Sequence, residues 1–210
     1  MMVAANITPT LPSSRSELRT LMRKCEQMQG MSVLEHGISV AKYYRDLLSH
    51  LQTGSSLKYE WKLPEWVYDP LILESLLPTN DVLTYLVYHD CGKPLCIYFD
   101  EEGRRHFPDH ANVSYELWQG MFGDSDVAWL IKNDMEIHLA RASDSERIAD
   151  RKYWATQLLA GLAEVHSNAS MFGGIESTSF KIKHKNLSKM GKRILNLKKI
   201  KSLKFKGKIL

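Results

Sequence analysis

Leu86-Val87-Tyr88-His89-Asp90-Cys91-Gly92-Lys93-Pro94 is the stretch on which the reading of this chain turns. An apolar run that opens near Asp81 delivers a histidine and an aspartate side by side, followed at once by a glycine, a lysine and a proline. The run DVLTYLVYHDCG has the pattern of a buried helix with an acid near its positive end. Two strong metal ligands at the end of such a segment pose a question: do histidines from other segments join them?

Several do come within reach. Upstream, MSVLEHGISVAKYYRDLLSHLQ places Val33, Leu34, Ile38, Ala41, Tyr44, Leu47, Leu48 and Leu51 on one helical face, and His36 lies on or near that buried side. Gly54-Ser55-Ser56 breaks this helix. Before it, Leu18, Leu21, Met22, Cys25 and Met28 recur at helical spacing behind a capping Ser16, and Gly30 ends the segment. Downstream, HANVSYELWQGMFG opens with His110, DSDVAWLIKNDMEIHLA ends near His138, and the longest run, SERIADRKYWATQLLAGLAEVHSNA, carries His166 near its end. The segment between residues 57 and 80 holds Pro64, Pro70 and Pro78 and reads as a loop with a short helix over Leu71 to Leu77. CIYFDEEGRRHFPDH alternates around Glu102-Gly103 and suits one small β-hairpin. The fold class expected is mostly α, a helical bundle over residues 15–175, with a flexible lead-in over 1–14 and a basic C-terminal extension over 176–210.

Composition narrows the classes of function. The 210 residues are 44% hydrophobic with five Trp, enough for a sizeable core. No apolar run is long enough for a membrane span, and the N-terminal stretch lacks the pattern of a secretory signal. Three cysteines, Cys25, Cys91 and Cys96, are too sparse for a disulfide framework or a thiolate zinc site. They read as free thiols of a cytoplasmic protein.

Helical bundles build metal sites from inward-facing side chains on different helices. Imidazole together with carboxylate suits a divalent ion such as Mn, Fe, Co, Ni, Zn or Mg. An ion so held lowers the pKa of water toward neutrality. Lys93 can then place positive charge on a phosphate oxygen, and Gly92 lets the backbone bend.

These residues resemble the HD superfamily of metal-dependent phosphohydrolases. The likeness rests on LEHGISVAKYYRDLL, YLVYHDCGKP, HFPDHANVSYELW and VAWLIKNDMEIH, roughly residues 30 to 170. It is closest in flavour to the HD domain attached to bacterial tRNA nucleotidyltransferases. The resemblance implies an HD-type bundle with metal ligands His36, His89 and Asp90. It implies catalytic roles for Asp90, Lys93 and His110, with Lys93, His110 and His138 meeting the substrate. A second ion would fall to His110, Asp134 and His138.

One position departs from the family pattern, which closes with an aspartate on the last helix. Here His166 stands in that place. Three readings stay open: His166 is the fourth ligand, Asp144 or Asp150 is the true aspartate with the helices shifted, or the fourth ligand and the activity are lost. His106 reads as a hairpin residue, and His50 and His184 as surface residues. Glu35 reads as a group orienting His36 or as a solvated one.

Charge is strongly asymmetric. From Lys181 onward there are 11 Lys, one Arg and no acid, which leaves a body of formal charge −8 before a +12 tail. Leu187, Met190, Ile194 and Leu197 fall at helical spacing, and Leu203, Phe205 and Ile209 then alternate. Such a segment suits nucleic-acid phosphates, an anionic membrane surface, or docking onto the oppositely charged body. Phe205 stands alone as an aromatic, so nucleic-acid contact through 181–210 would be to the backbone. The function expected is hydrolysis of a phosphomonoester or phosphodiester on a nucleotide or RNA end by metal-activated water. The alternatives are a degenerate HD scaffold that binds nucleic acid or a protein, and a nucleotide sensor without turnover.

Overall fold

The computed structural model describes residues 11–171 and 173–206 and is mostly α-helical, with two small antiparallel hairpins. The lead-in expected over 1–14 lies mainly outside the described residues, as does Ile209.

Helix α1 (Arg15–Lys24) is capped by Ser14, whose hydroxyl accepts from the Glu17 amide, two residues ahead of the expected cap. Its helical pattern does not run on to Met28. Instead β1 (Glu26–Met28) pairs with β2 (Met31–Ser32) in a hairpin. Gly30, at φ +77°, supplies the left-handed turn residue, and the Glu26 carboxylate accepts its amide. The hairpin delivers Ser32 as the cap of α2 (Val33–Thr53), where Glu35 completes a capping box. Glu35 thus serves the helix end rather than His36.

The loop after α2 is pinned by Asp46. This buried carboxylate accepts the Lys58 and Tyr59 amides and the Trp61 indole N–H. A 3-10 turn follows at Glu65–Tyr68, then α3 (Pro70–Glu74), shorter than expected and capped by Asp69. Helix α4 (Thr79–Tyr88) leads into the His89-Asp90 turn, and α5 (Lys93–Cys96) leaves it. The hairpin expected around Glu102-Gly103 is present as β3 (Tyr98–Phe99) and β4 (Arg105–His106).

Helix α6 (His110–Phe122) precedes two segments that break where one helix each was expected. The first divides into α7 (Asp126–Lys132) and α8 (Glu136–Leu139), with buried Asp134 at the break. The second divides into α9 (Ser145–Ala149) and α10 (Trp154–Met171) across the polar stretch Asp150-Arg151-Lys152. There Arg151 pairs with Glu136, and Lys152 pairs with Asp126 at 2.6 Å.

Helix α2 lies at the centre, packed along α4 and α10. Two glycines set close approaches, Gly37 of α2 beside α4 and Gly92 of the turn beside α6. A Cβ on Gly37 would lie 2.3 Å from the Val87 carbonyl oxygen. A Cβ on Gly92 would lie 2.3 Å from the Ser114 amide nitrogen. At φ −83° Gly92 needs no special backbone freedom, so its part is to let α6 close on the turn rather than to permit a tight bend. The Gly92 amide donates to the buried Ser114 hydroxyl at 2.8 Å. Alanine normally favours a helix over glycine by about 1 kcal/mol. Gly37→Ala is nevertheless expected to lower stability by about 1–3 kcal/mol in urea unfolding, because backbone must move to admit the methyl. A neutral or stabilising result would show that α2 and α4 separate freely.

The basic segment docks onto the body. Helix α11 (Thr178–Lys206) packs on α9 and α10 and buries Phe180, Leu187, Met190, Ile194 and Leu195. Gly191 lies against the buried Trp66 indole with no room for a side chain. Of the expected apolar positions Leu197 is half-buried, and the helix continues through Leu203 instead of alternating. Cys25, Cys91 and Cys96 are free thiols. Among the described residues no helix is long and apolar enough to cross a membrane.

Candidate metal centre

Two elements bring the first three side chains together. His36 sits in the first turns of α2, and Gly37 beside it allows the α4 backbone to come near. His89 and Asp90 follow the last residue of α4. All three side chains are almost fully buried, and each offers a ligand atom within 4.8 Å of the others. His89 offers the same with Asp134 and Glu164, so the histidine is shared by two groups.

The distances suit a divalent ion. Ligand bonds of ~2.1 Å put neighbouring donor atoms roughly 3.0–3.4 Å apart in an octahedral or tetrahedral shell. His89 Nε2 is 3.2 Å from Asp90 Oδ2, and His36 Nε2 is 3.6 Å from the same oxygen. His89 Nδ1 donates to the Leu86 carbonyl at 2.8 Å, which aims Nε2 into the cluster. That buried Nε2 has no hydrogen-bond partner, nor has His36 Nδ1. Asp134 is oriented by the Tyr85 hydroxyl, which donates to it at 2.6 Å. Between them the two groups offer two imidazoles and three carboxylates, donor types appropriate to Mn, Fe, Co, Ni or Zn.

Electrostatics fit the same reading. Burial disfavours a charged His89, yet Asp90, Asp134 and Glu164 hold its pKa up at about 10. Burial and the neighbouring His89 push His36 down to about 4. Burial alone would raise Asp90, but His89 and Lys93 hold it well below the carboxylate range. The carboxylates therefore gather positive charge, which here comes from a proton and an ammonium. A cation entering such a set displaces protons.

Lys93 and His110 flank Asp90. Lys93 Nζ donates to Asp90 Oδ2 at 2.7 Å and to the Gln27 side chain at 3.1 Å, and it lies over the Phe107 ring. His110 Nε2 is 3.6 Å from Asp90 Oδ1, and its Nδ1 is held by the Phe107 carbonyl. His138 stands one step out. It does not touch Asp134 or His110 but pairs through Nε2 with Glu164 at 2.9 Å. Burial opposes charge on His138, and Glu164 raises its pKa.

His166 is elsewhere. Its Nδ1 donates to Leu162 O at 2.8 Å, and its Nε2 accepts the Lys62 amide at 3.0 Å. The ring lies among Trp61, Phe180 and His184, and burial holds it neutral with a pKa of about 4. With both nitrogens engaged by backbone, His166 has no lone pair to offer an ion. Asp144 and Asp150 do not replace it. Asp144 bonds the Arg141 amide and Arg147, and Asp150 pairs with Lys201. The acid on this helix that reaches the cluster is Glu164, two residues before His166. The signal in the sequence was a lone acid within the apolar run LLAGLAEV. His184 also is no surface residue, since it packs on Phe180 and meets the Lys62 carbonyl at 2.7 Å. His106 pairs with Asp100 in the hairpin at 2.7 Å.

No family model, curated protein or solved structure matches the chain.

Proposed function

We propose that the protein is a metal-dependent phosphohydrolase of the HD type, acting on a phosphomonoester or phosphodiester of a nucleotide or nucleic-acid end. The observation that carries this reading is the buried convergence of His36, His89 and Asp90 with Asp134 and Glu164. His36, His89 and Asp90 would hold a divalent ion, or His89 with Asp134 and Glu164, the two groups sharing the His89 ring. Such an ion, when bound, makes water acidic enough to supply a nucleophile near neutral pH and polarises a phosphoryl oxygen.

The chain's own groups account for the rest. Asp90 anchors Lys93, whose ammonium would meet a phosphate oxygen as charge develops. His110, partly exposed on the other side of Asp90, faces the same region and can donate from Nε2 to a second oxygen. The pair His138–Glu164 fixes the Glu164 carboxylate and can hold a proton at His138 Nε2.

One contact favours a second reading, an HD-like scaffold without chemistry. Lys93 already occupies the Asp90 oxygen that faces both histidines. Elemental analysis beside hydrolysis of bis-p-nitrophenyl phosphate with Mn, Ni or Co separates the two. The hydrolase reading expects one or two equivalents of metal, and turnover that falls by at least about 100-fold in His89→Ala. Metal-free protein without turnover under all three ions would leave the scaffold reading.

A further inference from the structure

The exposed side of α11 carries cations that the body does not use. Lys199 pairs with Asp69, Lys201 with Asp150 and Lys181 with Glu176. Lys185, Lys189, Lys192 and Arg193 are exposed and have no ion pair among the described residues. At 100° and 1.5 Å per residue these four fall within roughly 100° of arc and run ~12 Å along the helix. They form one continuous positive row.

A groove of about 590 Å³ lies beside this row. Lys189, Lys192 and Asn196 line one wall, and Pro64, Trp66 and Tyr68 line the other. Tyr68 is 57% exposed, and its hydroxyl is tethered to His50 at 3.3 Å. Two carboxylates also border the groove. Asp69 is neutralised by Lys199, and Glu65 at the rim is exposed. The aromatic ring that the tail lacks in sequence is thus supplied by a segment more than a hundred residues away.

We propose that this surface binds single-stranded nucleic acid, with phosphates along Lys185, Lys189, Lys192 and Arg193 and a base stacked on Tyr68. Cations beside an exposed ring suit a strand whose bases are accessible, whereas a duplex hides its bases from the ring. An acidic peptide would satisfy the lysines but would leave the apolar wall uncovered. The proposal rests on the reading of the chain as acting on nucleotide or nucleic-acid-end phosphates, and it gives that activity a place to hold the strand.

Fluorescence anisotropy of the full chain with fluorescein-labelled oligo-uridylate tests it, at about 50 mM salt, where phosphate contacts are strong. The single strand should bind more tightly than a duplex of equal length. Lys189→Ala with Lys192→Ala should reduce the slope of log K against log salt by about 1.4, the share of two phosphates. Tyr68→Ala, an exposed change whose folding circular dichroism checks, should weaken binding roughly 5- to 100-fold. The proposal falls if the strand does not bind, or if Tyr68→Ala binds like the parent and a polyglutamate peptide competes as well as the oligonucleotide. Binding without turnover would sink the hydrolase and leave the groove. Turnover without binding would do the reverse.

Discussion

Asp90→Ala is expected to destabilise the folded chain by about 3–5 kcal/mol, the scale of breaking a buried ion pair by removing one partner. The Asp90 and Lys93 side chains are 3% and 9% exposed, so neither can turn to water without moving the turn. With the carboxylate gone, Lys93 would keep only the neutral Gln27 oxygen, and His89 would lose its nearest counter-charge. Adding Lys93→Met should recover much of the loss, because the second charge no longer sits unpaired. Urea unfolding of the two single variants and the double measures this coupling. A loss below about 1 kcal/mol for Asp90→Ala would mean that the turn moves and the ammonium escapes to solvent.

The second large effect separates two neighbours on α10. Glu164→Gln keeps the shape of the side chain but removes its charge. It should lower metal affinity and phosphodiesterase turnover by about 10- to 100-fold, because it removes a charge from the group that shares His89 and frees His138. His166→Ala should do the opposite. It strands the Lys62 amide and opens space among Trp61, Phe180 and His184, which costs about 2–4 kcal/mol. The folded fraction should still bind metal in the original ratio. Metal content per folded molecule, measured after gel filtration, decides between them. If folded His166→Ala were metal-free while Glu164→Gln stayed loaded, the assignment of the helix face would be reversed.

Much of the fold was legible because it is written in local patterns. The apolar spacing of α2, α4 and α6 survives almost unchanged, and the hairpin around Gly103 follows from its turn chemistry. The first hairpin was not legible, because Cys25 and Met28 continue a helical spacing by chance. Gly30 and the Glu26 carboxylate override it with a turn whose value lies in capping the next helix. The breaks at Asp134 and Asp150 were hidden for a related reason. Apolar periodicity runs through both segments, while the tertiary packing favours shorter helices that aim Asp134 at the site.

Within the site, the contiguous His89-Asp90-Cys91-Gly92-Lys93 motif could be read directly, and with it came His36. Both lie at helix positions whose burial the pattern already marks. The acid that approaches this cluster from α10 could not be read in this way. Residues 164 and 166 are about 200° apart on a helix, so they face opposite sides, and α10 is apolar nearly all round. A helix buried on every side carries no signal for which face meets α2 and which meets α11.

The sequence by itself therefore determined the helical class, the His-Asp turn and the surplus charge of the last thirty residues, since each depends on neighbours along the chain. Only the tertiary structure decided that Glu164 and not His166 turns to the cluster. It also decided that Gly37 and Gly92 serve close packing, and that Tyr68 stands across a groove from Lys189. Those relations depend on the phase and approach of helices distant in sequence, which long-range packing sets and no local pattern encodes.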